Sequence, residues 1–298
     1  MRDGVGASRV QVLPGEWSSV LAFLCAQFPA VNEAVWRSRF ARGLVLDTSG
    51  TSLLPDSACK NGERIYYYRE LEQETHIPFY ETVLYQDEHI LVADKPHFLP
   101  VIPSGKFVQQ SLLVRLKNKT GLDALSPVHR IDKDTAGLVL FSVNPATRDA
   151  YQALFRTRSV KKTYHAIAPL FQEKQLLKQQ LPLCYRSRLV EDTQFFRTQE
   201  VSGEANSETC IDILESDGAM ALYRLQPVTG RKHQLRVNMA SLGAAIKNDS
   251  LYPHVKQVAD NDFSAPLKLL AQSLDFIDPL DGSARYFESQ FCLKIHSD

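Results

Sequence analysis

His129-Arg130-Ile131-Asp132-Lys133-Asp134-Thr135-Ala136-Gly137-Leu138 packs a histidine, two cations and two carboxylates into one short stretch, then runs directly into Val139-Leu140-Phe141. That apolar run reads as a buried strand. Surface loops often carry this much charge, but they seldom continue unbroken into core. Asp132 therefore sits near where the core begins, with Arg130 beside it. A carboxylate at such a place must be held by a cation or by hydrogen-bond donors, because burying it alone is too costly.

A second stretch supplies what that carboxylate needs. In Thr229-Gly230-Arg231-Lys232-His233-Gln234-Leu235-Arg236-Val237-Asn238, Thr229 is placed to cap a helix. The apolar residues Leu235, Met239 and Leu242 recur at i, i+4 and i+7, and Gly243 ends the pattern. Arg236 adjoins the apolar stripe and so points partly inward. A buried guanidinium needs a carboxylate, and Asp132 is the candidate.

Around these two stretches the chain divides by composition. Residues 1–15 read as a polar tail. Residues 16–70 read as a small module: a helix through Val20, Leu21 and Leu24, a second helix capped by Asn32, and short strands at 44–46 and 64–68. The acidic run from Glu70 leads into a linker at 71–77, and 78–298 form the main domain. There, Ile90-Leu91-Val92-Ala93 is a core strand and Ser111 to Lys119 a short basic helix. Asn144-Pro145 is a helix start, and Lys162 to Ile167 is an alternating strand. Ile211 to Leu214 and Met220 to Leu225 pair around a turn at Asp217-Gly218. The stretch 172–203 shows no readable period.

The 298 residues are 44% hydrophobic and 23% charged, the composition of a soluble globular protein. No apolar run approaches the roughly 20 residues that span a bilayer, and no basic n-region precedes Val20–Cys25, so neither membrane span nor signal peptide is expected. The 5 cysteines are odd in number and scattered, which favours reduced thiols and a cytoplasmic protein, expected as a monomer. The 8 histidines show no metal-ligand spacing. Net charge is zero, yet the segment from Ser104 to His165 carries seven more Lys and Arg than Asp and Glu. A basic middle in a neutral chain is a footprint for phosphate.

The motifs together resemble the RluA-type pseudouridine synthases. His129-Arg130-Ile131-Asp132 with Thr135 and Gly137 is similar to that family's H-R-L-D-x-x-T-S-G motif, Lys162-Thr163-Tyr164 to its K-x-Y strand, and Thr229 to Val237 to its T-G-R-x-H-Q-I-R-V helix. Ile90 to Pro103 resembles the opening strand and K-P loop. The resemblance covers roughly residues 78 to 290, in the family's order. Ala136, Asn238 and Leu270 depart from residues common in the family. The module at 16–70 resembles, more loosely, the α-L RNA-binding domain, with Arg37, Arg39 and Arg42 on its second helix.

The resemblance implies an α+β fold: a mixed, largely antiparallel sheet with flanking helices and a central cleft. It implies isomerisation of uridine in structured RNA, rRNA or tRNA, to its C-glycoside: the N1–C1′ bond breaks, the uracil turns, and C5 joins C1′. No cofactor or metal is implied. Asp132 matches the essential carboxylate, acting either as nucleophile at the sugar or as base on a sugar proton. Arg236 matches the arginine that keeps it ionised. Tyr164 matches the tyrosine under the uracil, placed for stacking and for the proton at C5, and Leu235 lines the same pocket. Arg130 matches the residue that fills the gap left by a flipped base. Lys161, Lys162 and Arg231 are expected on the RNA backbone.

Two other readings compete. A non-catalytic RNA-binding protein on the same scaffold predicts loss of the Asp, the Tyr or the inner Arg, and all three are present. A carboxylate hydrolase such as a glycosidase needs a second acid, and only Asp134, two residues away, is at hand.

Overall fold

A computed structural model describes residues 3–69, 74–171, 182–193 and 196–296. Residues 71–73 of the expected linker, and 172–181 of the stretch without a readable period, lie outside the described residues. The chain forms two units: Met1–Glu74 with Gly105–Gln109, and Thr75–Ser104 with Gln110–Asp298.

In the first unit, β1 (Ser8–Gln11), α1 (Val20–Gln27), α2 (Glu33–Ala41), β2 (Val45–Leu46) and β3 (Arg64–Tyr67) follow in order. The strands form a sheet ordered β1-β3-β2. Ser19 and Asn32 cap the two helices, accepting from the Ala22 and Ala34 N–H groups. The core is Phe23, Leu24, Trp36 and Val45, all fully buried. The expected polar tail is corrected here. Val10 and Val12 alternate with polar neighbours, Val12 is buried, and the segment pairs with β3. The three arginines of α2 and its C-cap all have local work: Arg37 pairs with Glu33, Arg39 is buried over the Trp36 ring, 4.6 Å from its centroid, and Arg42 Nε donates to the Ser38 carbonyl at 3.4 Å.

The second unit is built on one large sheet. Its elements are β4 (Thr82–Gln86), β5 (Ile90–Lys95), α3 (Leu112–Thr120), β6 (Ser126–Pro127), β7 (Ala136–Ser142), α4 (Arg148–Arg156) and β8 (Lys161–Pro169). Then come β9 (Leu183–Glu191), β10 (Thr198–Val201), β11 (Ser207–Ser216), β12 (Met220–Pro227), α5 (Gln234–Ser241), β13 (Leu269–Ile277) and β14 (Ala284–Glu288). The strand order is β10-β9-β11-β12-β8-β13-β7-β5-β4, with β14 on β13 and β6 on β7. Among these described pairings only β13 with β7 is parallel, so the sheet is mixed and largely antiparallel. β9 and β10 fall within the stretch whose sequence shows no period.

β7 is buried along its whole length, as its apolar run requires. Gly137 is why it fits. Its φ is +107°, and a Cβ there would sit 2.2 Å from the Ala271 carbonyl oxygen on β13. Ala271 also pairs with Tyr164 on β8, so Gly137, Ala271 and Tyr164 form one row across three strands. This row brings the Asp132 loop and Tyr164 into one neighbourhood.

Two short helices cover separate patches of core. α4 places Tyr151 against Ile90, Leu138, Leu140 and Leu274. It begins at Arg148, not at Pro145: Asn144 instead closes a turn, accepting from the Ala146 and Thr147 N–H groups. α5 places Leu235 and Met239 against Ala166, Tyr223, Leu225 and Leu269. Eight residues cannot sustain a helix alone. Burial of Leu235, Val237 and Met239, on the order of 2 kcal/mol each, holds it in place.

Candidate active site

A cleft of about 480 Å³ opens between the C-terminal end of α4 and the start of α5. Arg130, Asp132, Lys162, Tyr164, Arg231, Leu235 and Arg236 all line it. Residues that sequence alone placed 104 positions apart thus meet: Arg236 Nη1 donates to Asp132 Oδ2 at 3.2 Å.

The Asp132 loop is held by its main chain. Thr135 N–H donates to the Asp132 carbonyl (3.2 Å). The buried Lys95 ammonium donates to the carbonyls of Pro96 (2.9 Å) and Lys133 (3.0 Å). Burial brings its pKa down to about 7, against the pull of the Asp134 and Asp132 charges. The His97 Nδ1 lies 2.7 Å from the Asp134 carbonyl. On the other side, His129 Nε2 accepts the Leu140 N–H of β7 at 3.1 Å and its ring stacks on Phe155 at 4.5 Å. That acceptor role requires a neutral ring, and burial moves the His129 pKa down to about 3. With its backbone fixed on both sides, the Asp132 side chain is 29% exposed, open to the cleft.

Arg236 is 2% exposed, and Asp132 is only the lesser of its partners. Its Nε and Nη2 form a two-pronged pair with Asp249, at 2.8 and 2.7 Å, and the Asp249 side chain is fully buried. Asp249 Oδ1 also accepts the N–H groups of Leu251 (2.8 Å) and Tyr252 (3.1 Å). Burial alone would lower the Arg236 pKa, but the Asp249 hydrogen bonds and charge, with Asp132 behind them, raise it. The guanidinium is therefore fixed by Asp249 and lends its third nitrogen to Asp132.

The turn that starts α5 differs from the expected cap. Thr229 accepts the Glu208 N–H (2.9 Å) and donates to Gln234 Oε1 (2.7 Å) instead of capping the helix. Gln234 Oε1 also accepts the Arg231 N–H, and its amide donates to Glu208 O and Thr209 Oγ1. His233 stands at the N-cap position with φ +54°. Tyr164 is partly buried. Burial, and then the charge of Asp132, raise its pKa, so the hydroxyl stays protonated and presents a neutral ring to the cleft.

Lys161 is the exception among the expected site residues. Adjacent residues of a strand face opposite ways. Lys162 points into the cleft, its Nζ 3.5 Å from the Thr229 carbonyl, whereas Lys161 lines a separate groove with Thr163, His165 and Glu288. The basic middle of the chain is divided likewise. Arg115 is spent on Glu81 and the carbonyls of Ile77 and Phe79, and Arg156 on Asp149. Arg130, Arg158 and Lys162 are its cations at the cleft.

Four residues of the site have no role assigned to them from the sequence. Arg158 carries φ +60° just past α4, and Asp249 lies in a polar stretch that reads as loop. The third is His233, within the matched motif. The fourth is His129, whose part is structural.

Residues 89–241 match the family model described as RNA pseudouridylate synthase. The chain belongs to that family. A dual-specificity RNA pseudouridine synthase RluA from Yersinia pestis is 30% identical over 210 residues, 70% of this chain and 98% of the relative. A tRNA pseudouridine(31) synthase from Saccharomyces cerevisiae is 31% identical over 253 residues, 72% of this chain and 60% of the relative. Among solved structures, human RNA pseudouridylate synthase domain containing 1 superposes with a TM-score of 0.57 at 20% identity, covering 74% of this chain and 86% of that one. That likeness shows the pseudouridylate synthase fold. As an RNA pseudouridylate synthase, this enzyme isomerises uridine in RNA to pseudouridine.

Proposed function

We propose that Asp132 is the catalytic carboxylate, acting on uridines of structured rRNA or tRNA. The observation that carries this reading is the asymmetry of the cleft's acids: Asp132 is open to the cleft, while Asp249, the other partner of Arg236, is sealed away. Only the first can touch a substrate. Arg236 fixes the carboxylate through its Nη1 hydrogen bond to Oδ2 without itself reaching the sugar. Tyr164 offers its neutral ring for stacking on the uracil; its raised pKa suits stacking better than proton removal. Leu235 closes the pocket beside it. Arg130 is exposed at the rim, where a guanidinium can enter the gap of a flipped nucleotide.

Lys162, Arg158 and Arg231 line the path for phosphates. Incubating the enzyme with tRNA and rRNA pools labelled with tritium at uracil C5, then measuring release, tests the substrate class. Release from one pool or both supports the reading. Release from neither, with release from another RNA pool, overturns it.

A further inference from the structure

The mechanism so far leaves His233 unused, although it faces the reacting carboxylate. Its side chain is 10% exposed, and Nε2 lies 3.9 Å from Asp132 Oδ2. Its backbone holds φ +54°, a region in which a side-chain-bearing residue is uncommon. That conformation aims the ring back across the cleft floor, edge-on to Tyr252 at 5.7 Å and 82°.

The hydrogen bonds behind the ring decide which nitrogen carries the proton. The Tyr252 hydroxyl accepts the Thr198 N–H at 2.8 Å and lies 2.9 Å from His233 Nδ1. Tyr252 is 4% exposed, and burial raises its pKa, so it keeps its proton. A buried hydroxyl proton needs an acceptor. Among the described residues, the lone pair of Nδ1 is the acceptor in reach. The relay therefore runs from Thr198 N–H to Tyr252 Oη, and from Tyr252 O–H to Nδ1. Nδ1 is then unprotonated and Nε2 carries the hydrogen, directed at Asp132. Burial lowers the His233 pKa, in keeping with a neutral ring.

Two donors thus converge on one oxygen. Arg236 Nη1 and His233 Nε2 both address Oδ2, while Oδ1 takes no hydrogen bond among the described residues. We infer that His233 is a positioning residue: held in its Nε2–H form by Tyr252, it joins Arg236 in pinning Oδ2 of Asp132, so that Oδ1 is the oxygen presented to the ribose. The 3.9 Å separation closes to a hydrogen bond when substrate fills the cleft, as such contacts commonly tighten in complexes. Tyr252 ties this relay to Arg236 as well, because its ring lies under the guanidinium at 5.5 Å and its N–H is held by Asp249.

This inference rests on the reading of Asp132 as the catalytic group, and the test separates the two. His233→Asn tolerates the positive φ but is too short to reach Asp132, whereas His233→Gln restores a donor at the position of Nε2. Single-turnover and steady-state rates on a uridine-containing RNA are measured for both, with Asp132→Asn alongside. Nitrogen NMR of the histidine-labelled wild type reads the tautomer. Expected are a fall of about tenfold or more in kcat for His233→Asn, the worth of one charge-assisted hydrogen bond, a KM within about twofold of wild type, recovery of most of the loss in His233→Gln, and a proton on Nε2. An inactive Asp132→Asn beside a fully active His233→Asn sinks the role of His233 alone. So does a proton on Nδ1, or a loss in His233→Asn that follows its melting temperature and is not regained by Gln. Activity in Asp132→Asn sinks the underlying reading instead.

Discussion

Asp249→Asn isolates the buried pair on which the site geometry depends. The substitution keeps the shape and leaves a side-chain carbonyl to accept from Leu251 and Tyr252. It removes one negative charge, which leaves Arg236, 2% exposed, with Asp132 as its remaining anionic hydrogen-bond partner at 3.2 Å. Breaking a buried pair by removing one partner costs about 3–5 kcal/mol. The surviving bonds put this case at the low end, about 3 kcal/mol. For a unit of this size, each kcal/mol moves Tm by roughly 2–4 °C, so a fall of about 6–12 °C is expected in a calorimetric scan. Turnover should fall too, because the guanidinium is no longer anchored where Nη1 meets Asp132. Adding Arg236→Met to the variant removes the stranded charge, and the double variant should lose about 1–3 kcal/mol less than the sum of the two single losses. If Asp249→Asn melts with the wild type, or the two losses simply add, Asp249 is not the anchor described here.

Three further outcomes are expected. Gly137→Ala drives a Cβ into the β13 backbone at a φ unsuited to alanine, and should lower stability by more than about 2 kcal/mol in urea titration. Lys162→Ala should flatten the salt dependence of RNA binding by about one unit of slope, while Lys161→Ala, whose side chain faces away from the cleft, should leave it unchanged in filter binding. His129 and His97, brought down by burial to about 3 and 4, resist protons that the unfolded chain takes up near 6.5. Stability is therefore full above about pH 6.5 and declines below it, by about 1.4 kcal/mol per pH unit for each histidine. Urea curves from pH 7 to 4 should show a shallower decline in His129→Gln.

Much of this architecture can be read from local pattern, and the limits of that reading are physical. β7 and β8 announce themselves because one is an unbroken apolar run and the other alternates. Gly137 marks itself only as a glycine; that it must admit the Ala271 carbonyl depends on which strand lies beside it. Arg236 near an apolar stripe calls for a carboxylate, and Asp132 answers in part. The stronger partner is Asp249, 13 residues away in a stretch whose local pattern assigns it no place, because its full burial beside Arg236 arises only in the folded chain. The two lysines at 161 and 162 look like a single basic patch in a charge count. Period-2 alternation separates them as soon as the segment is taken as a strand. Val10 and Val12 carry the same alternating signal, too brief to stand out before β3 is seen pairing with it.

The most direct measurement is made on Asp132→Asn. Carboxylate and amide share a shape, but only the carboxylate can act as nucleophile or base. The variant and the wild type are compared for tritium release from C5-labelled RNA and for RNA binding under the same salt. The expected result is no release above background, with RNA affinity within about threefold of wild type, since phosphate contacts dominate binding. Release at near the wild-type rate would show that the isomerisation does not run through Asp132.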